Sequence, residues 1–203
     1  MAKKKLTAKK IALLMAIISL VSFLYKLSLG IISSSMILIV ASLSTLVVCI
    51  CKFIYWKDMT ADRSAKKRAY FFMVILALAF AVLFLLFAVL KVGGIDTSSK
   101  RSFTGIIGLV FIAFVILMFV LSILKLKGAL EKSDLIVIGL KEMIFVSALA
   151  DAVIIQEFLY KVVPHYRDVP FMGIINNYFP LIIAVVMLLV PVKMFSRFRR
   201  YES

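Results

Sequence analysis

Six runs of apolar residues, each about as long as a bilayer is thick, limit what this chain can become. They are Ile11–Gly30, Ile31–Trp56, Tyr70–Leu90, Gly105–Leu124, Leu135–Tyr160 and Phe179–Phe195. A helix needs roughly 17–25 residues to cross a hydrocarbon core. The expected fold is therefore all-α, a polytopic membrane bundle of six helices in a single domain over residues 1–203. Composition supports this. With 64% hydrophobic and 17% charged residues, and a mean hydropathy of +1.12, the chain has too little charge to cover a water-soluble surface.

The formal net charge is +15, which in a soluble protein would suggest nucleic acid. Here the basic residues cluster at the edges of the apolar runs, so they read as a topology signal and an attraction to anionic headgroups. With the N-terminus inside, the inner segments hold 17 Lys and Arg and the outer ones 6, leaving Lys52 and Lys141 within spans. The imbalance predicts an N-in, C-in protein of a bacterial cytoplasmic membrane. The expected partners are membrane lipids, including anionic headgroups, and a second membrane protein, with no nucleic acid. "MAKKKLTAKK" resembles the start of a signal peptide. Cleavage after Gly30 would leave residue 31 entering the membrane at once, so the first run is read as a span. Pro180 suits the first turn of the last helix, Pro191 should loosen it, and "VGGI" at Val92–Ile95 should be a turn.

Signatures of chemistry are missing. One histidine, His165, rules out HExxH, and no GxSxG, Walker loop or GxGxxG occurs. Cys49 and Cys51 are two residues apart and diverge on a helix. Asp151 and Glu157, six apart, also diverge by about 120°. No catalytic residue, metal site or cofactor is expected.

The polar residues inside the spans are the remaining candidates. In the second run Ser35, Ser42 and Cys49 recur every seven residues beside Thr45, a small-residue stripe suited to close helix contact or to lining a solute path. In the fifth run Ser147, Ala148 and Asp151 share one face, with Gln156 and Glu157 beyond. Glu142 and Glu157 lie near the run's two ends, where headgroups are within reach. Asp151 does not. An ionised Asp at such depth costs about 2.5–3.5 kcal/mol on insertion scales and needs a partner, water or a proton. Lys26, fifteen residues from Ile11, rises about 22 Å, and Asp151, sixteen from Leu135, about 24 Å. The two depths match, so Lys26 is expected to pair with Asp151. The expected intramembrane polar site is Lys26, Asp151, Ser147, Ser35, Ser42 and Gln156.

"LYKLSLGIISSSMILIV" at Leu24–Val40, "ILKLKGALEKSD" at Ile123–Asp134 and "SALADAVIIQEFL" at Ser147–Leu159 resemble a group of small six-helix membrane proteins of Gram-positive bacteria. Glu157 stands where that pattern has a short aliphatic residue. The resemblance implies architecture and emphasises Tyr25–Gly30 and Ser147–Gln156; it implies no activity. Ala12-x-x-x-Ala16 is similar to the first helix of the substrate-binding membrane subunits of energy-coupling-factor transporters, but the Pro- and Gly-rich loops of those subunits are missing. The leading expectation is a non-catalytic accessory, regulatory or scaffold subunit. The alternative is a small solute or ion transporter or channel using Asp151 and the Ser-lined face.

Overall fold

A computed structural model of the chain describes residues 2–95, 134–162 and 169–200 and four isolated positions between 113 and 120. The described segments form five helices: α1 (Ala2–Ile32), α2 (Met36–Asp58), α3 (Arg63–Val92), α4 (Leu135–Val162) and α5 (Pro170–Arg200). Four of them, α1, α2, α3 and α5, are long and apolar enough to cross a membrane. The run at 105–124, save those four positions, and His165 lie outside the described residues.

Hydropathy locates these helices, but their ends are set by capping. The first two runs were expected to meet between Gly30 and Ile31; the break falls instead at Ser33–Ser35. There Ser35 N donates to Gly30 O (2.9 Å) and Ser34 N to Ile31 O (3.1 Å). Ser34 takes the left-handed conformation (φ 51°). This pair of bonds satisfies the last carbonyls of α1. Ser35 then starts α2, its hydroxyl accepting from Leu38 N, which supplies one orphan donor of the first turn. Gly30 stays inside α1 because α2 presses on it. A Cβ there would lie 2.9 Å from Ile39 Cγ1 and 3.0 Å from Ile39 N.

The same device ends α3, as the glycines at Val92–Ile95 suggest. Gly94 has φ 87°, Ile95 N donates to Leu90 O, and Gly94 N donates to Lys91 O. At the other end Asp62 caps α3, accepting from Ala65 N and from the Ser64 hydroxyl. The Ser64 bond and then the Ala65 bond hold this exposed carboxyl below the usual range.

The last helix departs most from expectation. Pro180 does not begin it; α5 starts ten residues earlier at Pro170 and runs on through both Pro180 and Pro191. A proline at the start of a helix loses nothing, since that N–H would be unpaired anyway. Interior prolines are tolerated in membrane helices because neighbouring groups re-satisfy the freed carbonyls. Both are packed inside the bundle. Gly173, Asn176 and Asn177, which precede Pro180, are therefore helical.

Contacts between helices fix the arrangement. In the α1–α2 hairpin, Cys49 Sγ meets Ala16 O (3.4 Å), and Lys52 Nζ donates to the Ser19 hydroxyl and to Met15 O. Ala12 and Ala16 are buried in that seam, so the AxxxA motif is spent on packing. Between α3 and α4, Lys66 reaches Asp134, Tyr70 reaches Glu142 and Lys91 reaches Glu157. The contacts advance together along both chains, so α3 and α4 are parallel. Residues 95 and 134 thus lie at opposite ends of the bundle. Helix α5 runs back antiparallel, with Tyr70 donating to Met194 O and Gly173 beside Tyr160.

The helix richest in acids, α4, sits in the middle. It packs on α2, α3 and α5, and Ile136, Ile138, Ala148, Asp151 and Val153 are buried around its circumference. A helix buried all round belongs in a core. Helix α1 is the reverse: among the described residues its backbone comes within 8 Å of α2 alone. Ile11, Leu14, Ile18, Val21 and Leu24 are exposed along it. The third run likewise leaves an apolar face uncovered, with Phe71, Ile75, Leu78, Val82, Leu86 and Val89 exposed.

Candidate intramembrane polar site

Lys26 and Asp151 meet. Lys26 Nζ donates to Asp151 Oδ1 at 2.6 Å, and each residue is only 6% exposed. The helix start at Leu135 places the acid at the level the depth count required. Because the backbones of α1 and α4 do not come within 8 Å of each other, the Lys26 stem itself spans the gap. Apolar methylenes can lie along packed side chains while the ammonium reaches the carboxylate.

Glu142 and Glu157 do not reach headgroups. Both are buried, and both are paired across helices. Arg197 of α5 donates to Glu142 Oε1, and Tyr70 of α3 donates to Glu142 Oε2 at 3.3 Å. Lys91 of α3 donates to Glu157 Oε2 at 3.0 Å, with Lys161 3.5 Å from Oε1. At about 100° per residue, Glu142 and Glu157 lie some 60° apart on α4, whereas Asp151 points to the opposite side. One face of α4 therefore binds α3 and α5 through two glutamates; the other binds α1 through Asp151 and α2 through Ser147. A helical wheel gives directions on one helix but not what covers them, and α4 is covered everywhere. That is why the end glutamates turn inward.

The serines divide. Ser147 shares a hydrogen bond with Ser44 of α2 (2.9 Å) one turn below Asp151. Ser42, although buried, donates to its own helix at Ile39 O, and Thr45 does the same at Ala41 O. Ser35 is a cap rather than a member of a helix face. The expected stripe of Ser35, Ser42 and Cys49 is thus a packing seam against α1 with its hydroxyls satisfied locally. Gln156 stands apart from the pair, and its buried Nε2 has no partner among the described residues. Among the described residues, Asn176 Oδ1 of α5 is likewise buried and unbonded.

Sequence reasoning missed Tyr70, Lys91, Arg197 and Ser44. Tyr70 and Lys91 had a signal: they bracket a stretch of α3 without polar side chains, as the two glutamates bracket the middle of α4. Arg197 was counted only as inner charge. Among the described residues no group of three metal-binding side chains converges. The arrangement can hold helices in register and neutralise charge. No known protein family, characterised protein or solved structure matches the chain.

Proposed function

We propose that this is a six-span, N-in/C-in protein of a bacterial cytoplasmic membrane, akin to the small six-helix proteins its motifs resemble. In this reading it is a non-catalytic accessory, regulatory or scaffold subunit. One observation carries it: all three carboxylates within α4 are held by a cation from another helix, Arg197, Lys26 and Lys91 respectively. Charges neutralised in this way build a fixed frame; they do not leave a reactive group poised for substrate. Removing either partner of such a pair strands the other, so the frame favours one arrangement of helices. Gentle solubilisation followed by affinity capture should co-purify a membrane protein in stoichiometric amount. A monodisperse protein without a partner that conducts a solute into liposomes would overturn the reading.

The parallel course of α3 and α4 supports the even number of spans. The chain leaves α3 at one end of the bundle and enters α4 at the other, which is the arrangement a further span at 105–124 would call for. The basic residues support the orientation: Lys57, Arg63, Lys66, Arg197, Arg199 and Arg200 belong to helix ends at one end of the bundle, and positive charge favours the inside. Single cysteines at Arg63 and Arg199 should escape an impermeant thiol reagent in intact cells, while one at Ile95 should be labelled. Background is low because Cys49 and Cys51 are buried. Labelling at Arg63 would refute the orientation.

The transport reading draws on a different observation. Asp151 is held by a helix, α1, that among the described residues otherwise packs on α2 alone, so a movement of α1 would open the pair to a cation or proton. On that reading Asp151→Asn abolishes flux in liposomes and leaves the fold intact.

A further inference from the structure

Where α3 begins and α5 ends, the two helices leave an open groove of about 490 Å³ lined by Ser64, Lys67, Arg68, Phe71 and Phe198. Its floor is aromatic: the Phe71 and Phe198 rings are 5.1 Å apart, and Lys67 Nζ sits 5.3 Å over the Phe198 ring. Its rim is cationic, with Arg68 exposed and Lys67 half-buried. Asp62, which caps α3 beside the groove, accepts from Ser64 and Ala65 and also feels the charge of Arg68.

What the groove opens onto decides its occupant. Ser64, Arg68, Phe71, Ile75, Leu78 and Val82 follow at intervals of three and four residues, one face of a helix. From Ser64 to Val82 every one of them is exposed. Read along α3, that face changes from polar to basic, then aromatic, then aliphatic. A phospholipid has the same order of chemistry, with phosphate above an interfacial region above an acyl chain. Aromatic side chains favour the interfacial level, and basic ones attract anionic headgroups. A soluble anion would use the cations but have no call on the aliphatic stripe.

We propose that this groove is a binding site for an anionic phospholipid. Its phosphate lies between Lys67 and Arg68, and one acyl chain runs along Phe71, Ile75, Leu78 and Val82. The site requires only that the helices lie in a membrane; it is independent of the orientation and of the subunit role proposed above.

Native mass spectrometry of the full-length protein, offered phosphatidylglycerol and phosphatidylcholine in detergent, tests it. The protein should retain phosphatidylglycerol preferentially. Removing both cations in Lys67→Gln/Arg68→Gln should reduce that preference roughly fivefold for each charge lost. The charge-keeping Lys67→Arg/Arg68→Lys should preserve it, as should Lys9→Gln/Lys10→Gln, which removes two cations of the same end outside the groove. Should the double Gln variant fail to fold, Ser64→Glu, at an exposed position, should expel the lipid by repulsion. Three results would overturn the site: no preference in the wild type, equal loss in the Lys9/Lys10 variant, or displacement of the lipid by glycerol phosphate at equal concentration. The first would leave the helical membrane fold standing.

Discussion

Lys26→Ala and Asp151→Ala will each lower stability by roughly 3–5 kcal/mol, the cost of stranding one charge of a buried pair. Unfolding in mixed micelles, followed by heat or by SDS titration, is the measurement. The intact pair itself contributes little, since desolvation offsets the attraction at 2.6 Å. The apolar double variant Lys26→Met/Asp151→Leu should therefore recover much of the loss. Additive losses in the double variant would show that the two side chains act separately. The effect should be local in kind. Lys26 is the tie between α1 and the central helix, so single variants should loosen α1 first, and proteolysis or labelling near Ser19 and Ser22 should rise before the rest of the bundle opens.

Arg197→Ala should cost about as much, roughly 3–5 kcal/mol, because Glu142 is then left with the Tyr70 hydroxyl as its donor at 3.3 Å. The converse change should be milder. Glu142→Gln removes the buried charge, and Gln can still accept from Tyr70. The side chain of Arg197 is 26% exposed, so without its partner it can turn to water. The same unfolding assay should rank Arg197→Ala well below Glu142→Gln. Equal losses would mean that the shape of the contact, rather than its charge, holds α5 to α4. The asymmetry comes from burial: the acid is enclosed by three helices, whereas the base sits at the end of one.

Some of this was legible in the residues. Long apolar runs dictate helices because lipid offers the backbone no partner, and counting residues at 1.5 Å of rise put Lys26 and Asp151 at one depth. Depth along a straight helix accumulates linearly from its start, so an error of a turn in the start is tolerable. The Lys26–Asp151 pairing therefore followed from local information. So did the turn at Gly93–Gly94, where only glycine enters left-handed space cheaply.

Other features could not be read that way. Apolarity does not say where a helix stops; at Ser33–Ser35 it stops because two backbone bonds and a serine cap close it, and all flanking residues are equally at home in lipid. The fates of Glu142 and Glu157 depended on what surrounds α4. Direction around a helix is a property of that helix, but burial belongs to its neighbours, and Tyr70, Lys91 and Arg197 come from chain segments 72, 66 and 55 residues away. By itself the sequence determined that this chain forms apolar helices, which charges lie within them and at what depth. Only the tertiary structure decided that the helix richest in acids is the central one. A run of residues encodes its solvent preference locally, whereas the choice of which helix to enclose is made by the summed pairing of side chains that meet only once the bundle has assembled.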